Sequence, residues 1–114
     1  MIEARLLADA GRLDESALLG AVRRGEARMA TALLAVAADL PASVIDSAAT
    51  LRSAKGLISL LWKAGFTMRV AGPVQMLLAR LPPNTVLRAT TSGGFPLTGE
   101  EMRWQINFLL HPGP

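Results

Sequence analysis

The sequence predicts an all-α fold, a short stack of antiparallel helix pairs of HEAT-like character, with one irregular arm over about 84–97 before the last helix. Three observations predict it. About half of the residues are apolar, yet the supply is Leu, Ala, Val and Met, and the only large rings are Trp62, Trp104, Phe66, Phe95 and Phe108. Leu, Met and Ala lose little side-chain freedom in a helix, whereas sandwiches and barrels lean on β-branched and aromatic residues. Apolar residues also recur at helical spacing in successive segments, divided by capping residues and by Gly or Pro stops. Finally, Leu18-Leu19 returns as Leu60-Leu61, Leu33-Leu34 as Leu77-Leu78, and Leu40-Pro41 as Leu81-Pro82. These offsets fall within the period of about 40–47 residues of HEAT and armadillo arrays.

The first legible helix starts at Asp14, an N-cap, with Glu15 in its first turn and Leu18, Leu19 and Val22 as its apolar face, and it ends at Gly25. Met29, Ala30, Leu33, Leu34, Ala37 and Ala38 stripe the next, which Leu40-Pro41 closes because the residue before proline is pushed out of helical geometry. A short helix is expected over 42–51, with Val44, Ile45, Ala48, Ala49 and Leu51 as its apolar positions. Ser53 caps the next, which carries Leu57, Ile58, Leu60, Leu61 and Trp62 and stops at Gly65. From Thr67, whose hydroxyl can cap it, a further helix runs through Val70, Val74, Leu77, Leu78 and Leu81 to Pro82-Pro83. Pro73 predicts either a kink there or a start delayed to Gly72. After the Thr- and Gly-rich arm, Thr98 and Glu101 form a capping-box pattern ahead of Met102, Gln105, Ile106 and Leu109, and His111-Pro112 ends the last helix.

At 114 residues the chain has the size of one domain with its own core, 1–114, and can bury roughly two-thirds of the surface its unfolded form exposes. The longest uncharged stretches of the helical body, 29–38 and 70–79, fall well short of the roughly twenty residues a membrane-spanning helix needs. Acids among the first nine residues do not fit a secretory signal, so a cytoplasmic location is expected. The absence of cysteine removes disulfides, thiolate metal sites and cysteine nucleophiles. Lys and Arg number 12 against 9 Asp and Glu, a net charge of +3 that permits acidic partners without requiring them.

The order of landmarks carries a family resemblance: Ala10-Gly11-Arg12-Leu13, Leu18-Leu19 with Val22-Arg23-Arg24-Gly25-Glu26, Leu33-Leu34 to Leu40-Pro41, and Leu60 to Gly65. Gly94-Phe95-Pro96-Leu97 and Glu100-Glu101-Met102-Arg103-Trp104-Gln105 extend it. In this order the sequence resembles the C-terminal part of the bacterial family catalogued as domain of unknown function 2336. The resemblance implies a HEAT-like helical fold and a bacterial, alphaproteobacterial, cytoplasmic protein, and it carries over no catalytic motif. Members of that family are longer, which implies that the chain is a short member or the C-terminal part of a longer protein.

Reactive side chains are scarce: one His, no Cys, no Tyr and two Lys. His111 lacks partners at metal-binding or general-base spacing, so it reads as a solvated or helix-ending residue. The neighbouring carboxylates Asp14-Glu15 and Glu100-Glu101 sit at helix starts, where capping and the helix dipole favour them. Ser92-Gly93-Gly94 lacks the Gly-Lys-Ser/Thr of a phosphate loop. No catalytic residue, cofactor, metal or small-molecule substrate is therefore expected.

The expected function is that of a non-enzymatic module binding a protein partner or itself, in bacterial regulation. The alternative is a basic helical domain binding nucleic acid, for which Arg23, Arg24 and Arg28 are the candidate phosphate contacts. Arg103 and Trp104 are the candidate protein contacts, since Trp and Arg dominate binding hot spots. The bland reading for Trp104 is packing beneath the arm against Phe95, and it is the favoured one. Charge geometry separates the two functions. A face shared by Arg23, Arg24, Arg28, Arg52 and Lys55 without interleaved acids favours nucleic acid; neutralisation by Glu26 and Asp46, with an apolar groove elsewhere, favours protein.

Overall fold

The computed structural model describes residues 14–111, so the readings made on residues 1–13 and on Pro112 lie outside the described residues. The described residues form six α-helices and one 3-10 turn, with no strand among them. In order these are α1 (Glu15–Arg23), α2 (Ala27–Ala38), α3 (Ala42–Thr50), α4 (Ala54–Lys63), the turn Met68–Val70 leading into α5 (Ala71–Leu78), and α6 (Gly99–Leu110). The expected side-chain caps form: Asp14 accepts from the Ala17 amide at 2.9 Å and Ser53 from the Gly56 amide at 2.9 Å. Of the two alternatives raised by Pro73, the delayed start is the one realised. The Thr67 hydroxyl accepts from the Arg69 amide and caps the 3-10 turn, and Pro73 falls in the first turn of α5, where a missing N–H breaks no helical bond.

Five consecutive helices end in one way, with the chain reversing through a left-handed residue. These residues are Gly25, Asp39, Arg52, Gly65 and Arg80. At each, the following amide reaches back across the last turn: Glu26 to the Ala21 carbonyl, Leu40 to Ala35, Ser53 to Ala48, Phe66 to Leu61 and Leu81 to Gln75. Carbonyls that the helix cannot pair are thus satisfied locally. Two pairs of these endings match in kind. α1 and α4 each stop on glycine, while α2 and α5 each stop on a left-handed side-chain residue followed by Leu-Pro. Two cations add to this bonding from a distance. Lys63 donates to the Ala38 carbonyl at 2.9 Å, and the Arg52 guanidinium donates to the Ala79 and Arg80 carbonyls at 3.1 and 2.9 Å.

The helices pack as a small stack around α4, which touches α2, α3, α5 and α6, while α1 lies across α2 and α5. Leu57, Ile58, Ser59, Leu60 and Leu61 of α4 are all fully buried, with Leu18, Leu33, Leu34, Ile45, Val70 and Val74 around them. The Ser59 hydroxyl donates to the Lys55 carbonyl one turn back, which makes its burial tolerable. The Glu15 carboxylate, expected only to favour a helix start, also accepts from the Thr67 amide and hydroxyl at 2.6 and 2.7 Å and so ties α1 to the entry of α5. Leu51 departs from expectation: α3 ends at Thr50, and Leu51 turns outward ahead of left-handed Arg52 instead of joining Val44, Ile45 and Ala48 in the core.

The arm is irregular as predicted, and one buried residue holds it. Gln75, on the inner face of α5, accepts from the Leu87 amide at 2.8 Å and donates to the Leu87 and Ala71 carbonyls at 3.0 Å each. It is fully buried with both ends of its amide satisfied. Further along, Thr90 closes a tight turn through the Gly94 amide and carbonyl, and Phe95 and Leu97 return the chain to the core edge.

Replacing Gln75 with Leu leaves the Leu87 amide and carbonyl without their partner, at a cost of about 1–3 kcal/mol in denaturant unfolding. Hydrogen exchange at the Leu87 amide accelerates in the same variant. Asp39→Gly relieves the left-handed backbone of a side-chain residue and raises stability by about 1 kcal/mol. Arg52→Gly gains the same relief but loses two guanidinium hydrogen bonds, so its melting temperature falls instead.

Candidate functional site

The sequence-predicted binding residues fall into two separate groups. Arg23, Arg24 and Arg28 lie exposed around the corner between α1 and α2. The Arg24 Nε donates to the Glu26 carboxylate at 2.8 Å, so one member of the trio is paired with the acid next to it in sequence. Arg28 lines a shallow cleft between α2 and α3 together with Asp46. Arg52 is turned onto the end of α5, and Lys55 lines a different cleft beside Glu101. The basic side chains therefore do not form one uninterrupted face, and acids stand among them.

Arg103 and Trp104 lie on the outer side of α6. The inner side of this helix follows from its periodicity: Met102, Ile106 and Leu109 are buried, chiefly against α4 and also α3. That register turns Trp104 outward, and it is 62% exposed. The packing of Trp104 beneath the arm, the favoured reading from sequence, is not what the structure shows. Its indole lies nearly parallel to the Phe108 ring one turn on, with centroids 5.6 Å apart and planes inclined by 7°. An offset stack of this kind holds two large rings as one slab, which limits the rotamer freedom a partner would have to quench. Phe95 packs at the core edge instead.

A cleft opens on either side of the slab. Toward the start of α6, Leu97, Thr98, Glu100, Glu101, Trp104, Gln105 and Lys55 line a space of about 410 Å³ with apolar and charged walls. Toward its end, Asp46, Ser47, Thr50, Leu51, Phe108 and Leu109 line a more apolar one of about 350 Å³. Leu51, 58% exposed, and Phe108, 40% exposed, form its rim. The sequence reading missed both residues as surface features. Phe108 lies four residues from Trp104, a same-face spacing that could have revealed the pair. Leu51 gave no such signal, because its spacing within α3 is that of a core residue.

The start of α6 is held by the predicted capping box. Thr98 Oγ1 accepts from the Glu101 amide at 3.0 Å, and the Glu101 carboxylate accepts from the Thr98 amide at 2.9 Å. The Thr98 backbone N–H is the main reason the Glu101 carboxyl sits below the ordinary carboxylate range; the Thr98 hydroxyl and the Lys55 charge act in the same direction. His111 terminates the helix, its amide bonding to the Asn107 carbonyl.

No family model matches the chain, and no curated protein or solved structure matches it significantly. No helix among the described residues is long and apolar enough to cross a membrane.

A carboxylate with a lowered folded-state pKa stabilises the fold above its unfolded pKa and loses that contribution as the pH falls through the folded value. Wild type should therefore melt above Glu101→Gln at neutral pH, with the gap closing as the medium is acidified below the ordinary carboxylate range. Thermal melts of the two proteins across pH check this.

Proposed function

We propose that the chain is a non-enzymatic helical module that recognises protein through the outer face of α6 and the adjoining end of α3. The observation that carries this reading is the exposed Trp104–Phe108 stack beside Leu51. Trp104 and Phe108 stack on one another and Phe108 and Leu51 rim one apolar cleft, so the three exposed side chains adjoin, and the main apolar patch of a soluble protein is often functional. Arg103 supplies a cation at the rim, and a Trp with a neighbouring Arg is a frequent hot-spot composition.

The charge arrangement supports the same choice. Glu26 pairs with Arg24, Asp46 shares a cleft with Arg28, and an apolar groove lies elsewhere, which is the pattern expected of protein recognition. Binding of nucleic acid through Arg23 and Arg28 is the second reading, favoured only by their exposure at one corner. The HEAT-like character belongs to this proposal too, and rests on the matching helix endings at Gly25 and Gly65 and at Asp39 and Arg80. A bacterial, cytoplasmic, regulatory setting and kinship with domain of unknown function 2336 rest on the ordered landmarks of the sequence.

Affinity capture from bacterial lysate with purified wild type and Trp104→Ala, with and without nuclease, tests the reading. A discrete protein should survive nuclease treatment and be retained at least tenfold less by Trp104→Ala. Retention of nucleic acid that falls steeply with salt and is unaffected at Trp104 would transfer the function to the arginine corner.

A further inference from the structure

Residues 82–94 are attached to the rest of the molecule at one point. Leu87 is the residue of this stretch that packs against the core, and it is half-buried with Val86 while every other residue from 82 to 94 is exposed. The hydrogen bonds follow the same plan. Those of Thr85, Arg88, Thr90, Gly93 and Gly94 close within the stretch, and among the described residues only Leu87 bonds outside it, to the Gln75 side chain. A segment with one half-buried contact and exposed flanks opens at a smaller cost in free energy than the core around α4. Phe95 and Leu97, packed at the core edge, hold its far end in place when Leu87 leaves.

The one contact has the chemistry of peptide recognition. Gln75 accepts from the Leu87 amide at 2.8 Å and donates to the Leu87 carbonyl at 3.0 Å. A single side-chain amide thus takes both backbone groups of one residue, as the facing strand does in a hydrogen-bonded antiparallel pair. Its other N–H is committed to the Ala71 carbonyl one turn back, which fixes the orientation of the amide before Leu87 arrives. What Gln75 reads is backbone, accompanied by one half-buried aliphatic side chain, and neither feature is peculiar to residues 82–94. With the arm away, a buried amide loses two partners, and an extended chain is the ligand that restores both at once.

From this single-point attachment to an oriented, backbone-reading side chain, we infer that Gln75 marks a binding site for an extended peptide with a central aliphatic residue. The arm is the tethered occupant of that site, an autoinhibitory contact that such a peptide displaces. The inference goes beyond the recognition role proposed for α6 and does not rest on it.

The probe is a fluorescent peptide with the sequence of residues 83–91, titrated against the full chain by anisotropy. In wild type the arm competes at a roughly millimolar effective concentration, so the peptide binds weakly. Leu87→Pro removes the amide from which Gln75 accepts, and this chain should bind the peptide about tenfold or more tightly than wild type does. The same peptide N-methylated at its leucine should lose that gain, and so should a chain carrying Gln75→Leu as well. A Leu87→Pro chain with native circular dichroism that binds no better than wild type overturns the inference, as does binding that survives N-methylation or Gln75→Leu. Hydrogen exchange in wild type tests the release of the arm without any variant. The Leu87 amide should be about tenfold or more less protected than the Leu60 and Leu61 amides of α4, with a weak dependence on urea. Equal protection means that the arm leaves only when the whole domain unfolds, and it overturns the inference too.

Discussion

The fold depends on the burial of α4 on all sides. Five consecutive residues of this helix, Leu57 to Leu61, are shielded from water, which is more than the one stripe that a surface helix hides. A helix apolar around most of its circumference must be enclosed by others, and α2, α3, α5 and α6 are placed where they enclose it. The functional consequence follows from packing. Because α6 uses Met102, Ile106 and Leu109 to cover α4, its register is set, and residues on the opposite side of the helix face outward whatever their polarity. The exposure of Trp104 and Phe108 is thus imposed by the core and held at both ends of the helix by the Thr98–Glu101 box and the His111 amide.

Helix positions were legible in the sequence because their signals are local. Asp14, Ser53, Thr67 and Thr98 cap where they were expected to, and Gly25 and Gly65 stop the helices they follow. What the sequence did not disclose depends on tertiary contact. Gln75 looks like any polar residue on a helix, and only the return of the arm to within hydrogen-bond reach makes it the buried clasp of Leu87. Arg52 looks like a surface cation, yet its guanidinium is taken up by carbonyls nearly thirty residues away. Glu15 was read as a dipole partner, and the long-range hydrogen bonds it makes to Thr67 had no counterpart in local pattern.

The candidate site was half legible for the same reason. Trp104 and Arg103 stood out by composition and by lying off the apolar stripe of α6. The direction of the tryptophan was misjudged because burial under the arm and exposure on the outer face differ only in where the arm runs. Leu51 was placed among the apolar positions of the helix over 42–51 by its spacing, but spacing cannot show that α3 stops one residue too soon to carry it inward. Single-residue differences at helix ends thereby decide which side chains face solvent.

The long-range caps change how the surface charge should be read. Lys63 and Arg52 each lay a cationic group against the carbonyl end of a helix, where the partial charge is negative, and Arg24 is matched by Glu26. These three cations are held in short-range contacts, which fix where their charge lies without changing the net charge. The net charge of +3 is small, so long-range steering of a polyanion adds little beyond a Debye length. If the proposed face of α6 binds a partner, close-range fit would govern the association more than net charge does.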